Sequence, residues 1–68
     1  MIEILGKKYM TTKEASRRYG MSDAWFQKRR ERKIPPRYIK LEYSDRVWYP
    51  LIQTDQWFEH QIRMNEGA

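Results

Sequence analysis

The chain contains no cysteine, so neither a disulfide nor a thiolate metal site can form. Its one histidine, His60, leaves too few imidazoles for a histidine-built metal site, and it reads as a surface residue of the last helix. No apolar run approaches the roughly 20 residues that a membrane helix needs. The opening apolar stretch Ile2, Ile4 and Leu5 is too short for a signal peptide, which leads to the expectation of a cytoplasmic, reducing location. Paired carboxylates and glycine-rich phosphate loops are missing as well, which leaves little to run a reaction. The expectation is a protein without enzymatic activity, cofactor, metal or small-molecule ligand.

At 68 residues there is room for one domain, expected to span 1–68 with residues 1–8 and 64–68 loosely held. A chain this short buries only about 60% of the surface exposed when unfolded. Its core must therefore come from large side chains. Trp25, Trp48 and Trp57, with five tyrosines and two phenylalanines, supply them. Charge is unbalanced: 14 Lys and Arg against 9 Asp and Glu, a net +5. Such a balance favours a polyanionic partner, nucleic acid before membrane.

Along the chain, Ile2, Ile4 and Leu5 suggest a short strand or a strap over the core. Thr11-Thr12-Lys13-Glu14 is a capping box, in which Thr11 and Glu14 satisfy each other's backbone amides. The helix it opens runs through Tyr19, with Glu14 and Arg18 spaced to pair. Gly20 stops it, because glycine turns left-handed without steric cost. Ser22 caps the next helix, with Met21 and Phe26 at the hydrophobic-staple spacing. Two helices joined this tightly cross steeply, as in a helix-turn-helix.

The second helix continues through Arg32 until Pro35-Pro36 end it. An alternating stretch follows. Tyr38 to Glu42 and Arg46 to Tyr49 read as a β-hairpin around the loop Tyr43-Ser44-Asp45. The register expected from the apolar pattern opposes Glu42 to Arg46, Leu41 to Val47, Lys40 to Trp48 and Ile39 to Tyr49. Pro50 then opens a third helix, on which Leu51, Thr54, Trp57, Phe58, Gln61 and Ile62 recur at helical spacing and Glu59 can pair with Arg63. The fold class expected is α+β, mainly α: a small winged helix-turn-helix with a C-terminal helix.

In such a unit the second helix enters the major groove of a duplex. With Phe26 inward, Ala24, Gln27, Lys28 and Glu31 face out. Gln27 suits adenine, Lys28 guanine, and Glu31 the amino group of cytosine. In the run Lys28-Arg29-Arg30-Glu31-Arg32-Lys33, five of six residues are basic, a density that repels itself unless phosphates neutralise it. Arg29 or Arg30 must lie near the core, with its stem packed and its head turned out. Ser22 and Trp25 stand at the start of the helix. Trp25 can pack under the hairpin or offer its indole N–H to a phosphate, packing being the commoner fate. Arg17 and Arg18 of the first helix, and Arg37, Lys40, Ser44 and Arg46 on and beside the hairpin, complete the expected DNA-contacting set.

In order and spacing the chain resembles a known group, the MerR-like excisionase and AlpA-type winged-helix proteins of phages and integrative elements. The matching pieces are Tyr9 to Ala15, Tyr19 to Ser22, Trp25 to Arg30, Pro35 to Lys40, Arg46 to Tyr49 and Asp55 to Phe58. It departs from their pattern at Arg32-Lys33-Ile34, where a glycine commonly ends the second helix, and at Tyr43-Ser44-Asp45, where the wing tip is commonly glycine-rich. The resemblance implies a recombination directionality factor. Such a protein binds repeated sites in double-stranded DNA, associates with neighbouring copies, bends the DNA and assists a site-specific integrase on the bacterial nucleoid. Some relatives are transcriptional regulators instead. A basic module that docks on an acidic protein or a membrane is a further reading, against which the capping and hairpin signals of a folded unit weigh.

Overall fold

The computed structural model describes residues 1–66. Three helices and a four-stranded antiparallel sheet make up the described residues. Strand β1 (Ile2–Ile4) turns back into β2 (Lys7–Met10) through Leu5 and Gly6, whose φ values of 52° and 76° both lie in the left-handed region. Two successive positive-φ residues define the tight hairpin turn whose twist matches paired strands. The segment expected to be loosely held is thus strand from its second residue. Strand β1 pairs with β2, and β2 in turn joins β4 (Val47–Pro50) with Tyr9 opposite Pro50 and Met10 opposite Tyr49.

Helix α1 (Thr12–Tyr19) begins with the complete capping box: the Glu14 amide donates to the Thr11 hydroxyl at 3.1 Å, and the Thr11 amide donates to the Glu14 carboxylate at 2.9 Å. Gly20 ends it at φ 69°. Only Met21 and Ser22 intervene before helix α2 (Asp23–Glu31), and the Ser22 hydroxyl accepts from the Trp25 amide.

Helix α2 stops earlier than the prolines require. Arg32 is its cap, and Lys33 turns left-handed at φ 56°. The Ile34 amide then donates back to the Arg29 carbonyl, and the Lys33 amide to that of Arg30. These two bonds are a Schellman closure, in which glycine is the usual left-handed residue. Lysine takes the glycine's place here, so Arg32 and Lys33 lie past the last helical turn.

The second hairpin forms, in a different register. Strand β3 (Ile39–Lys40) pairs with β4 (Val47–Pro50) with Ile39 opposite Trp48 and Lys40 opposite Val47. The connection runs from Leu41 to Arg46 rather than over three residues. Its turn is closed by the Ser44 amide donating to the Leu41 carbonyl, and the Ser44 hydroxyl accepts from the Arg46 amide. A one-residue slip reverses which side chains share a face. The expected Lys40–Trp48 and Glu42–Arg46 oppositions are therefore not formed. Instead the Arg46 guanidinium lies 5.7 Å from the Trp48 ring.

Strand order is β1-β2-β4-β3. Tyr49 and Met10 from the sheet meet Ala15 of α1 and Phe26 of α2 in a fully buried centre. Helix α3 (Leu51–Asn65) follows directly on Pro50 and closes one side of this centre with Leu51 and Phe58. Its Thr54 is buried, the hydroxyl donating to the Pro50 carbonyl at 2.6 Å. Further along, Ile62 and Met64 are exposed, so the apolar spacing outruns the core. Asn65 and the capping Glu66 close the helix where fraying was expected; Gly67 and Ala68, the end of that segment, lie outside the described residues.

Candidate nucleic-acid interface

Helix α2 has two chemically distinct faces. Phe26 is buried, and Trp25, Arg29 and Arg30 are half-buried beside it. Ala24, Gln27, Lys28 and Glu31 are exposed on the other side, as the periodicity requires. The Gln27 amide donates to the Glu31 carboxylate at 3.3 Å, so in the free protein these two polar ends hold each other. Lys28, Arg32 and Lys33 are exposed and take part in none of the ion pairs among the described residues.

The inner pair of arginines is differently employed. Arg29 lies 4.9 Å from the Trp25 ring and 5.4 Å from the Trp57 ring, and its Nε donates to the Pro35 carbonyl. It fastens α2 to α3 and to the proline segment. Arg30 sits on the opposite side of Phe26. Its Nη1 donates to the Tyr49 hydroxyl at 2.8 Å and to the Thr12 hydroxyl at 3.2 Å. Both arginines are thus held from within, where the sequence placed only one of them near the core. Burial pushes the Tyr49 phenol up from its ordinary pKa, against the opposing pull of Arg30. The phenol therefore remains a neutral partner.

Trp25 packs on α3 rather than under the hairpin. Its ring stands edge-on to Phe26 at 4.9 Å and tilted to Phe58 and Trp57 at 5.8 and 6.3 Å. Of its two sequence readings, packing describes the structure.

On α1, Arg17 is exposed. Arg18 does not pair with Glu14. Its Nε and Nη2 donate to the two carboxylate oxygens of Asp55, each at 2.8 Å, and the Tyr19 hydroxyl donates to Asp55 at 2.5 Å. The Arg18 bonds, then that of Tyr19, hold the Asp55 carboxyl below its usual range, with burial opposing them. The Arg18 guanidinium is raised in turn, chiefly by its bond to Asp55. Burial, then the bond to Asp55, raises the Tyr19 phenol. Glu14 is occupied by the capping box and by the Met1 amino group, and is also lowered, the Met1 amino group being the largest cause.

Around the hairpin, Arg37, Lys40 and Arg46 are exposed. Glu42 and Asp45 are exposed on the same connection and offset them, and Tyr43 is 85% exposed between these two carboxylates. Ser44 is half-buried with its hydroxyl engaged. Lys13 was missed in the sequence. With Arg30 and Arg46 it lines a groove between the start of α1, α2 and the β3–β4 connection. The capping box contained the signal, because it makes Lys13 a first-turn residue flanked by both cap partners.

Among the described residues no helix is long and apolar enough to cross a membrane, and no cluster of three or more His, Asp or Glu is placed to hold a metal ion. No family model matches the chain, and no curated protein or solved structure matches it.

Proposed function

We propose that this chain is a sequence-specific duplex-DNA-binding protein with a winged helix-turn-helix, acting without chemistry of its own. In this reading α1 and α2 are the helix-turn-helix, α2 is the recognition helix, and the β3–β4 hairpin is the wing. The observation that carries it is the face of α2 formed by Gln27, Lys28 and Glu31, with Arg32 just beyond. It is exposed, polar and unpaired with other elements, while Phe26 anchors its back at the centre of the core. Rigid backing of exposed hydrogen-bonding groups is what reading base edges requires.

Lys28, Arg32 and Lys33 on and just beyond α2, with Lys13 and Arg17 on α1, are exposed and supply positive charge for contact with phosphates. Gln27 and Glu31 trade their mutual bond for bonds to base edges. Arg29 is assigned to the scaffold. The wing contributes through Arg46, Lys40 and Arg37, with Glu42 and Asp45 limiting how closely its tip approaches the backbone.

The resemblance of the sequence to MerR-like excisionases gives the biological role its form: an architectural factor that bends attachment-site DNA and assists an integrase, with neighbouring copies touching on adjacent sites. Bending a site of 20–30 base pairs costs on the order of 1–6 kcal/mol, which cooperative neighbours share. Footprinting on the DNA of the mobile element tests this. Protection of repeats beside integrase arm sites fits the role. Protection confined to promoter elements replaces it with transcriptional regulation.

A further inference from the structure

Arg30 belongs to the basic run in sequence and to another place in space. It lies on the inner side of α2, half-buried, and borders a groove of about 550 Å³ between the first turn of α1, α2 and the β3–β4 connection. Two neutral hydroxyls, Tyr49 at 2.8 Å and Thr12 at 3.2 Å, accept from its Nη1. Among the described residues no carboxylate pairs with it, and no protein acceptor takes its Nε or Nη2. A partly desolvated guanidinium held in position by neutral groups is a charge without its counter-charge. Lys13 and Arg46 line the same groove, opposed by Asp23 and Asp45. One positive charge is left in excess, the counterpart of one phosphodiester.

We infer that this groove is a clamp for a single backbone phosphate of duplex DNA, with Arg30 as its central donor and Tyr49 and Thr12 as the residues that position it. The inference rests on the DNA-binding reading and adds a constraint from duplex geometry. One sugar-phosphate strand separates each major groove from the neighbouring minor groove. A molecule that places a helix in the first and directs a hairpin at the second must let that strand pass between helix and hairpin. In this chain that passage is the groove over Arg30. The clamp sets the register of the protein on the duplex and carries no sequence information.

The test measures affinity for a footprinted duplex and for copies in which one phosphate at a time is replaced by a neutral methylphosphonate. Wild-type protein loses about tenfold at one phosphate of the strand between the two grooves, the size of one charge-assisted bond. Arg30→Gln binds about tenfold more weakly than wild type to duplexes with that phosphate intact and is indifferent to its substitution, so the two proteins bind the substituted duplex alike, the non-additivity that marks a direct pair. Its near-ultraviolet circular dichroism verifies that the fold is kept. Tyr49→Phe provides a second readout, because it keeps the charge and removes the positioning hydroxyl. Affinity then falls while the salt dependence stays as in wild type. Full sensitivity of Arg30→Gln to every phosphate that matters to wild type, or unchanged affinity of Tyr49→Phe, overturns the clamp and leaves DNA binding standing. Absence of wild-type binding to any duplex at low salt removes both.

Discussion

Asp55 of α3 receives Arg18 of α1 through two parallel hydrogen bonds of 2.8 Å, a fork-to-fork contact between residues 37 positions apart. The Tyr19 hydroxyl adds a third bond to the same carboxylate. Helix α3 is thereby fixed to the first helix from outside, while the stacking of Tyr19 on Phe58, with ring centroids 4.2 Å apart, joins them from within.

This arrangement makes stability depend on acid. The carboxyls of Asp55 and Glu14 are both lowered in the folded chain. A lowered carboxyl favours the fold fully above its unfolded pKa, about 3.9 for Asp and 4.3 for Glu. That contribution is lost as pH falls through the folded value. Thermal melts should therefore be level near neutrality and drop as pH falls below about 5. Asp55→Asn should melt lower than wild type at pH 7, with the gap narrowing towards pH 3. A gap that widens in acid contradicts the assignment.

Two exposed turns carry left-handed side chains, and both can be relieved. Lys33 closes α2 at φ 56°, and Leu5 leads the β1–β2 turn at φ 52° with its side chain 96% exposed. Lys33→Gly should raise stability by about 0.5–1 kcal/mol, the balance between relieved strain and the greater freedom of unfolded glycine. Leu5→Asn creates the Asn-Gly pair preferred in such turns and should stabilise by about the same amount. Denaturant midpoints measure both. A loss of stability on either substitution means that the turn is not strained as described.

The inner and outer cations of α2 should separate in experiment. Arg29→Met removes the guanidinium from Trp25 and Trp57 and should cost about 1 kcal/mol of stability. Duplex affinity of the folded protein should be unchanged. Lys28→Ala should do the reverse, leaving stability within about 0.5 kcal/mol and weakening binding. If Arg29→Met weakens binding as strongly as Lys28→Ala at full folding, the scaffold role of Arg29 is wrong.

Base reading and backbone contact also divide by element. Gln27→Ala should cost about 1–3 kcal/mol at the specific site and little on random duplex. Arg46→Ala should weaken all sequences by a similar small factor, because its exposed charge stands beside Asp45. Competition binding with specific and random duplexes measures the difference. Equal losses for both variants on both duplexes contradict the division.

What the sequence made legible was local. Thr11 with Glu14, Gly20 and Ser22 fix both helix starts and the turn between them through contacts three or four residues apart, and the structure contains each. The outward face of α2 follows from Phe26 by helical period alone. The hairpin was legible as an element and not in register. Ile39 and Leu41 on one side and Val47 and Tyr49 on the other allow an alternating pairing across a three-residue loop, whereas a turn closed from Ser44 to Leu41 shifts the ladder by one residue. The pairing of Arg18 was misread because Glu14 is a suitable partner at helix spacing, but the capping box and the Met1 amino group already hold it. Nothing near Arg18 in sequence points to Asp55. The employment of both Arg29 and Arg30 likewise depends on Trp57, Pro35, Tyr49 and Thr12, which only the tertiary structure brings to them. The N-terminal hairpin was underread because leucine stands at a turn position that commonly takes asparagine or glycine.

The most direct measurement is the salt dependence of binding to a labelled duplex, followed by fluorescence anisotropy. If the cations around α2 engage the backbone, the logarithm of the binding constant falls linearly with the logarithm of salt concentration, by about 0.9 for each phosphate neutralised. Several contacts, and a slope of roughly −3 to −5, are predicted for the exposed set, with Lys28→Ala reducing it by about one. A flat dependence, or no binding to any duplex at low ionic strength, contradicts the account.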